Sequence, residues 1–388
     1  MQGNGIRCEP QSIALAGRWR RRAGRGDNRK VKTLRLKVDA NNFGADETLD
    51  RAAAILCGGG LVALPTETVY GLGANALDPA AVERIFAAKS RPAWDPVIVH
   101  VASQEMLTGL VEEVPGAARK LMAAFWPGPL TLLLKRTRAV PDAVTAGRPL
   151  VGVRMPAHPV ALELIRRAGV PVAAPSANRF GHVSPTTADH VLDDLDGRID
   201  AVLDAGPTPR GVESTVLDPS TSPMMIYRPG AVTAEQLRVV AGPVEMFQSG
   251  EPLRETPPDS PVAALPSPGV GLKHYAPRAR LVLIEASIGD LGVRLAAAAR
   301  SERGERLGVM LPEGIKPSTD LMAAQQIAAA QIYPWGSWDA PETMARELYA
   351  GLRALDAAGC TVILCPLPPA EGIGAAIRDR LIKAGSRE

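Results

Sequence analysis

The stretch LPTETVYGLG, residues 64–73, decides the fold of this chain. The apolar run 61–64 predicts a short strand, and the Pro65-Thr66 pair ends it. Hydroxyls and backbone N–H groups at such a strand end suit a small polar ligand at the edge of a sheet. A threonine-rich strand and turn without any ligand fits the same residues equally well. The stretch therefore leaves both interpretations open.

Short apolar runs alternate with helical patterns around this stretch. Predicted strands are 130–134, 151–154 and 170–174, and predicted helices are 49–57, 79–89, 117–125 and 159–168. This alternation predicts an α/β domain over residues 33–240, with strands buried on both faces.

The C-terminal third has its own pattern. Seven prolines in 243–268 exclude a central helix or strand there and predict a semi-extended linker, or lid, over 241–278. Strands 281–285, 307–311 and 361–364 alternate with helices 288–300, 341–357 and 374–383. We expect Asp339 to cap the helix 341–357. This order predicts a small Rossmann-like α/β domain over 279–388.

Bulk properties exclude several classes of protein. Hydrophobic residues make up 46% of the chain, without an uncharged apolar run of 18 residues, so no membrane span is predicted. The four cysteines form no CxxC pair, which favours reduced thiols and a cytoplasmic location. Residues 1–37 carry a net charge of +9, and the total of +3 leaves −6 for the rest. The folded body is therefore not a basic nucleic-acid surface.

The basic segment 1–32 has three interpretations. A disordered extension is favoured, and an organelle transit peptide or an RNA-binding arm remains open.

Two nucleotide-binding patterns are tested and set aside. Residues 71–76 fit G-x-G-x-x-A, but the next helix starts later, with Asp78 as cap and Pro79 in its first turn. An NAD site is therefore disfavoured. The sequence contains no GxxxxGK[ST] loop either.

Cationic side chains at the ends of helices and strands are better candidates for binding a ligand. Lys89 and Arg91 flank the end of a helix, where they hold phosphate oxygens or merely complement the helix dipole. Arg154 leaves an apolar strand into a proline turn and suits a carboxylate clamp. Ser176 and Asn178 lie in a turn that suits ribose, base or phosphate, although both are ordinary turn residues.

Taken together, seven stretches in order resemble the threonylcarbamoyl-AMP synthase family, which has a YrdC-type catalytic domain. They are LPTETVYGLG (64–73), KSRPAWDPVIVHV (89–101), FWPGPLTLLL (125–134), GVRMPAHP (152–159), PSANRFGHVSPT (175–186), GVESTV (211–216) and YRPGAVT (227–233). Residues 267–277 resemble the linker of the two-domain long form. Asp95 departs from the asparagine common in the family.

The resemblance implies a YrdC-type twisted mixed sheet with flanking helices and an enzyme that joins L-threonine, bicarbonate and ATP, with Mg²⁺ on the phosphates. Lys89 and Arg91 would be catalytic and bind ATP. The threonine or carbamate would contact Thr66, His100, Arg154 and Ser214. ATP would further contact Ser176, Asn178, Ser184, Arg228 and Tyr275. The product would pass to proteins that transfer the threonylcarbamoyl group to tRNA.

Two other functions stay open. A non-catalytic RNA-binding maturation factor is suggested by the arginine-rich segment, and weak RNA binding is compatible with the enzyme as well. The acidic body of this chain and its aromatic content of 4% disfavour the non-catalytic RNA-binding factor. A YrdC-type domain for carbamoyl transfer in hydrogenase maturation would bring cysteine-rich zinc motifs, which this sequence lacks.

Overall fold

The computed structural model describes residues 32–42, 47–247, 267, 270, 275–316 and 329–386. The described chain divides into two compact units. The first contains 32–180, 185–208 and 213–247, and the second contains 181–184, 209–212 and 275–386. Residues 1–31 of the predicted extension and most of the predicted linker lie outside the described residues.

The first unit is built on one mixed sheet. Its described strands are Leu34–Lys37 (β1), Val62–Leu64 (β2), Gly71–Asn75 (β3), Val99–His100 (β4), Leu130–Lys135 (β5), Leu150–Arg154 (β6), Val172–Ala173 (β7), Ala201–Asp204 (β8), Thr215–Asp218 (β9), Met224–Arg228 (β10) and Val244–Met246 (β11). Their order is β1-β8-β2-β3-β7-β4-β6-β5-β9-β10-β11. β3 runs antiparallel to β2 and β7, and β5 runs antiparallel to β6 but parallel to β9.

Helices flank this sheet. The described helices are Glu47–Cys57 (α1), Pro79–Lys89 (α2), Gln104–Leu110 (α3), Gly116–Phe125 (α4), Asp142–Thr145 (α5), Pro159–Ala168 (α6), Ala188–Leu195 (α7) and Ala234–Ala241 (α8). Asp78 caps α2 through the N–H groups of Ala80 and Ala81, as predicted. One apolar cluster packs α2 and α4 against the sheet, and a second packs α1 and α6. The central strands are therefore buried on both faces, as the sequence predicted.

The second unit contains a parallel four-stranded sheet. Its described strands, Arg280–Ile284 (β12), Leu307–Leu311 (β13), Gln331–Pro334 (β14) and Val362–Pro366 (β15), lie in the order β12-β15-β13-β14. Its described helices are Ile288–Ser301 (α9), Pro341–Ala357 (α10) and Gly374–Gly385 (α11). This arrangement confirms the predicted smaller α/β domain.

The sequence predicted neither the strands β1, β3, β4, β8, β9 and β10 nor the helices α3, α5, α7 and α8, and three further details differ. Ala340, not Asp339, is the N-cap of α10, and no side chain bonds to that helix end. The strand β11 lies in the stretch that the sequence analysis assigned to the linker. It pairs with β10 as the edge strand of the sheet, so only one of its sides needs backbone hydrogen-bond partners. The strand β14 had not been predicted. Of the helices that the structure describes, none has the length and apolar character of a membrane span.

Candidate active site

The loop between β2 and β3 carries the first group of site residues. Because these strands are antiparallel neighbours within the sheet, residues 65–70 form the connection between their ends. The Thr66 hydroxyl donates to the carbonyl of Val69 at 2.7 Å, and the hydroxyls of Thr66 and Thr68 lie 2.8 Å apart. Thr66 also accepts the N–H groups of Thr68 and Val69. Both hydroxyls are thus fixed in a buried polar turn.

Arg154 joins this turn from the end of β6. Its guanidinium pairs with Glu67 at 2.6 Å, donates to the Thr68 hydroxyl at 3.1 Å and to the carbonyl of Gly128 at 3.1 Å. The second Glu67 oxygen accepts the N–H of Ala157. Burial disfavours the ionised Glu67, but the charge and hydrogen bond of Arg154 outweigh it and lower the pKa of Glu67. A threonine carboxylate would therefore meet an arginine that already has a counter-charge.

His100 pairs with Arg154 through the backbone of the parallel strands β4 and β6. Its ring is fully enclosed, and its Nδ1 has no hydrogen-bond partner among the described residues. The pKa of His100 is lowered to about 3, mainly by burial and to a smaller extent by the charge of Arg154. His100 is therefore a neutral imidazole in the folded protein.

This burial makes stability depend on pH. The unfolded chain binds a proton at His100 below its ordinary pKa of 6.5, whereas the folded chain does so only near 3. The stabilisation is therefore complete above 6.5 and falls as the pH drops toward 3. From about pH 7.5 to 5.5, we expect the free energy of unfolding to fall by about 1.4 kcal/mol more in the wild type than in His100→Asn. Urea titrations measure this difference.

Equal pH dependence in wild type and His100→Asn would show that the imidazole is not buried in its neutral form.

The end of α2 carries the second group. Ser90 adopts a left-handed conformation with φ 54°, and the N–H of Arg91 donates to the carbonyl of Phe86 at 2.9 Å. This cap ends the helix between Lys89 and Arg91 and sends their side chains along different paths. Pro92 then prevents the helix from continuing, as the sequence predicted.

Lys89 is buried against the turn after β7. Its ammonium donates to the carbonyls of Ser176 and Asn178, and the carbonyl of Lys89 accepts the N–H of Phe180. Burial, followed by the charge of Arg91, lowers the pKa of Lys89 well below its ordinary value. An anion at this place would favour the charged form.

Arg91 turns toward Asp95. The guanidinium pairs with the Asp95 carboxylate at 2.8 Å and donates to the carbonyl of Pro96 at 2.7 Å, with the Phe180 ring 6.0 Å away. Burial raises the pKa of Asp95, while the charges of Arg91, Lys89 and Arg228 oppose that rise. One buried carboxylate is therefore paired directly with Arg91 and also feels the charges of Lys89 and Arg228.

Arg228 connects this group to β9. Its guanidinium donates to the backbone carbonyl of Ser214 at 3.0 and 3.1 Å and to the Ser214 hydroxyl at 3.1 Å. That hydroxyl also lies 2.8 Å from the hydroxyl of Thr131 on β5. Because β5 and β9 are parallel neighbours, Ser214 and Thr131 meet although they are far apart in sequence.

Backbone bonds hold the two groups side by side. The N–H of Leu72 donates to the carbonyl of Pro175, and the N–H of Ala177 donates to the carbonyl of Tyr70. The threonine-rich loop and the turn that accepts Lys89 are therefore adjacent. The predicted site residues that the first unit contains are Thr66, Lys89, Arg91, His100, Arg154, Ser176, Asn178, Ser214 and Arg228.

Ser184 and Tyr275 belong to the second unit. Tyr275, with φ 66°, is buried; its ring stacks on Tyr349 at 5.8 Å and lies 5.3 Å from the guanidinium carbon of Arg380. The closing of Tyr275 over a nucleotide stays a prediction.

Sequence reasoning missed Glu67, Thr68 and Thr131. Glu67 lies inside the stretch 64–73, and Thr131 interrupts an apolar strand. A polar residue among buried ones was the available signal, since such groups need partners.

The fold and these residues define an α/β protein with a buried, cation-rich site at the ends of the central strands of a mixed sheet. Family profiles match two parts of the chain, one described as "Telomere recombination" over residues 54–230 and one as "Threonylcarbamoyl-AMP synthase, C-terminal domain" over 232–386. The chain belongs to the threonylcarbamoyl-AMP synthase family.

Full-length relatives support this assignment. The threonylcarbamoyl-AMP synthase of Pyrococcus abyssi is 40% identical, over 86% of this chain and 92% of its own length. That of Bacillus subtilis is 41% identical, over 91% of this chain and 98% of its own length. The crystal structure of P. abyssi Sua5 complexed with L-threonine matches with a TM-score of 0.78 and 38% identity, over 91% of this chain and 97% of that one.

Proposed function

We propose that this protein forms threonylcarbamoyl-AMP and pyrophosphate from L-threonine, bicarbonate-derived CO2 and ATP, as the first step of threonylcarbamoyladenosine modification of tRNA. The observation that carries the proposal is the ion pair of Arg91 with Asp95 and the contact of Lys89 with the turn of Ser176 and Asn178, which lies next to the loop that holds Arg154. Threonine bound to the P. abyssi relative supports the same substrate here.

Threonine binds at the Arg154 loop in this proposal. Arg154 takes the carboxylate, and Thr66 lies within the same hydrogen-bonded turn. The amine attacks CO2, forms a carbamate and loses a proton. His100, as a neutral ring beside Arg154, adds no positive charge that would repel the ammonium form.

The carbamate oxygen then attacks the α-phosphorus of ATP, the bond from the α-phosphorus to the oxygen it shares with the β-phosphate breaks, and pyrophosphate leaves. Mg²⁺ bound to ATP would offset part of the phosphate charge. Lys89 and Arg91 stabilise the negative charge that spreads over the phosphate oxygens, while Ser176, Asn178, Ser184 and Arg228 line the nucleotide site. Positioning and electrostatics do most of the work, since no covalent intermediate is required.

The direct test is an assay of pyrophosphate release. We expect release from ATP and bicarbonate with Mg²⁺ to require L-threonine, and serine or valine to support it less. Threonine-independent release, or none, would reject the proposal.

Binding gives an independent check. A ligand at about 100 times its Kd stabilises the folded state by about 2.7 kcal/mol. We expect threonine and a non-hydrolysable ATP analogue together to raise the melting temperature by more than the sum of their separate effects. Strictly additive shifts would place the two ligands at uncoupled sites.

The wider context remains part of the proposal. Downstream proteins would carry the threonylcarbamoyl group to tRNA, and the enzyme would work in the cytoplasm. Weak RNA binding through residues 1–32 is tested by salt-dependent affinity before and after their deletion. RNA affinity that survives Lys89→Ala, together with absent pyrophosphate release, would favour the RNA-binding alternative.

A further inference from the structure

Two short segments of the catalytic part of the sequence belong to the second unit. They are residues 181–184 and 209–212. The first begins three residues after Asn178, and the second ends two residues before Ser214. Each segment is therefore joined by a few peptide bonds to a residue of the proposed site.

Helix α10 of the second unit contacts the segment 209–212 at Gly211. This glycine has φ +71°, and a Cβ at this position would lie 2.5 Å from the carbonyl oxygen of Arg346 and overlap the backbone of Ala345. Such an approach leaves no room for a side chain. The backbone of residue 211 is thus seated directly on the backbone of α10.

The same helix contacts the segment 181–184. The Arg353 guanidinium donates to the carbonyl of Val183 at 2.5 Å. The N–H of Ala276 donates to the carbonyl of Gly181 at 2.8 Å, and His182 forms a parallel bridge with Ala276. The segment is therefore held on two sides within the second unit.

Gly211 contacts the helix α10, and Arg353 is part of it, so both residues are tied to one rigid element. Ala345 and Arg353 are eight residues apart on α10, which is anchored in its unit by Met344, Leu348 and Leu352, all nearly inaccessible. A shift of this helix would displace both segments together. We propose that α10 is a positioning element for the nucleotide site, acting through Gly211 and Arg353 on the turns that carry Asn178, Ser184 and Ser214.

This inference rests on the proposed function for its kinetic consequence only. It gives the C-terminal domain a definite part in the reaction: it fixes the turn that carries Asn178 and Ser184, and it fixes Ser214, whose backbone carbonyl accepts from the guanidinium of the ATP-binding Arg228. Ser214 is also expected to contact the carbamate, whereas Thr66 and Arg154 lie on turns that these segments do not continue. The effect is therefore expected on ATP more than on threonine.

The first pair of variants separates docking from backbone strain. Gly211→Ala places a methyl group against α10. Gly206→Ala imposes the same left-handed strain in the same stretch, because Gly206 has φ +84°, but a Cβ there meets nothing within 4 Å. We expect hydrogen exchange of the amides in 176–184 and 208–216 to rise at least tenfold, or about 1.4 kcal/mol, in Gly211→Ala only.

The second set tests Arg353. Arg353→Ala should raise exchange in 176–184, and Arg353→Lys should restore part of the protection because it keeps a cationic donor. Arg346→Ala is the control on the same helix, since its exposed side chain pairs, among the residues that the structure describes, only with the adjacent Glu347. The KM for ATP should rise about tenfold in Gly211→Ala and Arg353→Ala, with kcat within about twofold and the KM for threonine little changed.

The outcomes are distinguishable. Wild-type exchange in both segments of Gly211→Ala and Arg353→Ala would overturn the proposal, as would equal effects in the Gly206→Ala and Arg346→Ala controls. A fall in kcat with unchanged KM for ATP would also contradict it. An inactive wild-type enzyme would refute the proposed function but not the exchange result, which needs no substrate.

Discussion

Lys89→Ala is expected to lower threonine-dependent pyrophosphate release by at least about 10²-fold, the scale for losing one positioned electrostatic group. The structure adds a second reason. The ammonium holds the carbonyls of Ser176 and Asn178, so its removal leaves two buried acceptors without this donor and loosens the nucleotide turn. The measurement is kcat/KM for ATP at saturating threonine.

Lys135→Ala is the matched control. Lys135 is an exposed lysine of the same unit, paired with Glu112 at the surface, and its loss should leave activity near that of the wild type. Circular dichroism must show that Lys89→Ala remains folded. Near-normal turnover in a folded Lys89→Ala protein would remove this lysine from the site.

Arg154→Ala is expected to be more damaging, because one side chain has two duties. Its loss removes the proposed clamp on the threonine carboxylate and should raise the KM for threonine by at least about 10²-fold. It also leaves Glu67 buried without its cation, which should lower the free energy of unfolding by about 3–5 kcal/mol. Threonine kinetics and urea unfolding measure the two effects separately.

A double variant separates stability from binding. Glu67→Gln combined with Arg154→Ala removes the uncompensated charge and should recover part of the lost stability, since an amide can still accept from Ala157. Threonine binding should remain lost. Recovery of both would show that Arg154 supports the loop without contacting the substrate, and recovery of neither would exclude charge burial as the cause of instability.

In the proposed ATP site, the departure at Asp95 would alter the balance of charge at the phosphates. The carboxylate pairs with Arg91 at 2.8 Å and feels the charges of Lys89 and Arg228, at a position where the family commonly has a neutral asparagine. A full negative charge offsets one cation before ATP arrives. The rise in the pKa of Asp95 caused by burial reduces this cost, since a protonated carboxyl carries no charge.

The sequence by itself determined the local elements. The helix Pro79–Lys89 follows from its aspartate cap, its first-turn proline and the proline after Arg91, and the structure has the same bounds. Local rules suffice there because cap and helix lie within one turn of each other. The seven ordered stretches also determined the family. These signals need no knowledge of how distant strands pair.

Gly73 marks the limit of local reasoning. In sequence it completes a glycine pair that resembles a nucleotide-binding turn, yet it lies within the strand β3. A Cβ there would lie 2.8 Å from the side chain of Leu64 and 2.9 Å from that of Val172. Glycine is needed at this position because side chains of the neighbouring strands approach its backbone closely. Only the order of the strands in the sheet determines this close approach.

The tertiary structure alone decided which charges and hydroxyls are partners. Arg154 pairs with Glu67 across 87 positions of sequence, because the loop after β2 reaches the end of β6. Ser214 pairs with Thr131 across 83 positions, because β9 lies beside β5. It also decided that segments 181–184 and 209–212 belong to the second unit. A buried polar group takes the partner that folding brings within hydrogen-bond distance, and chain order does not encode that distance.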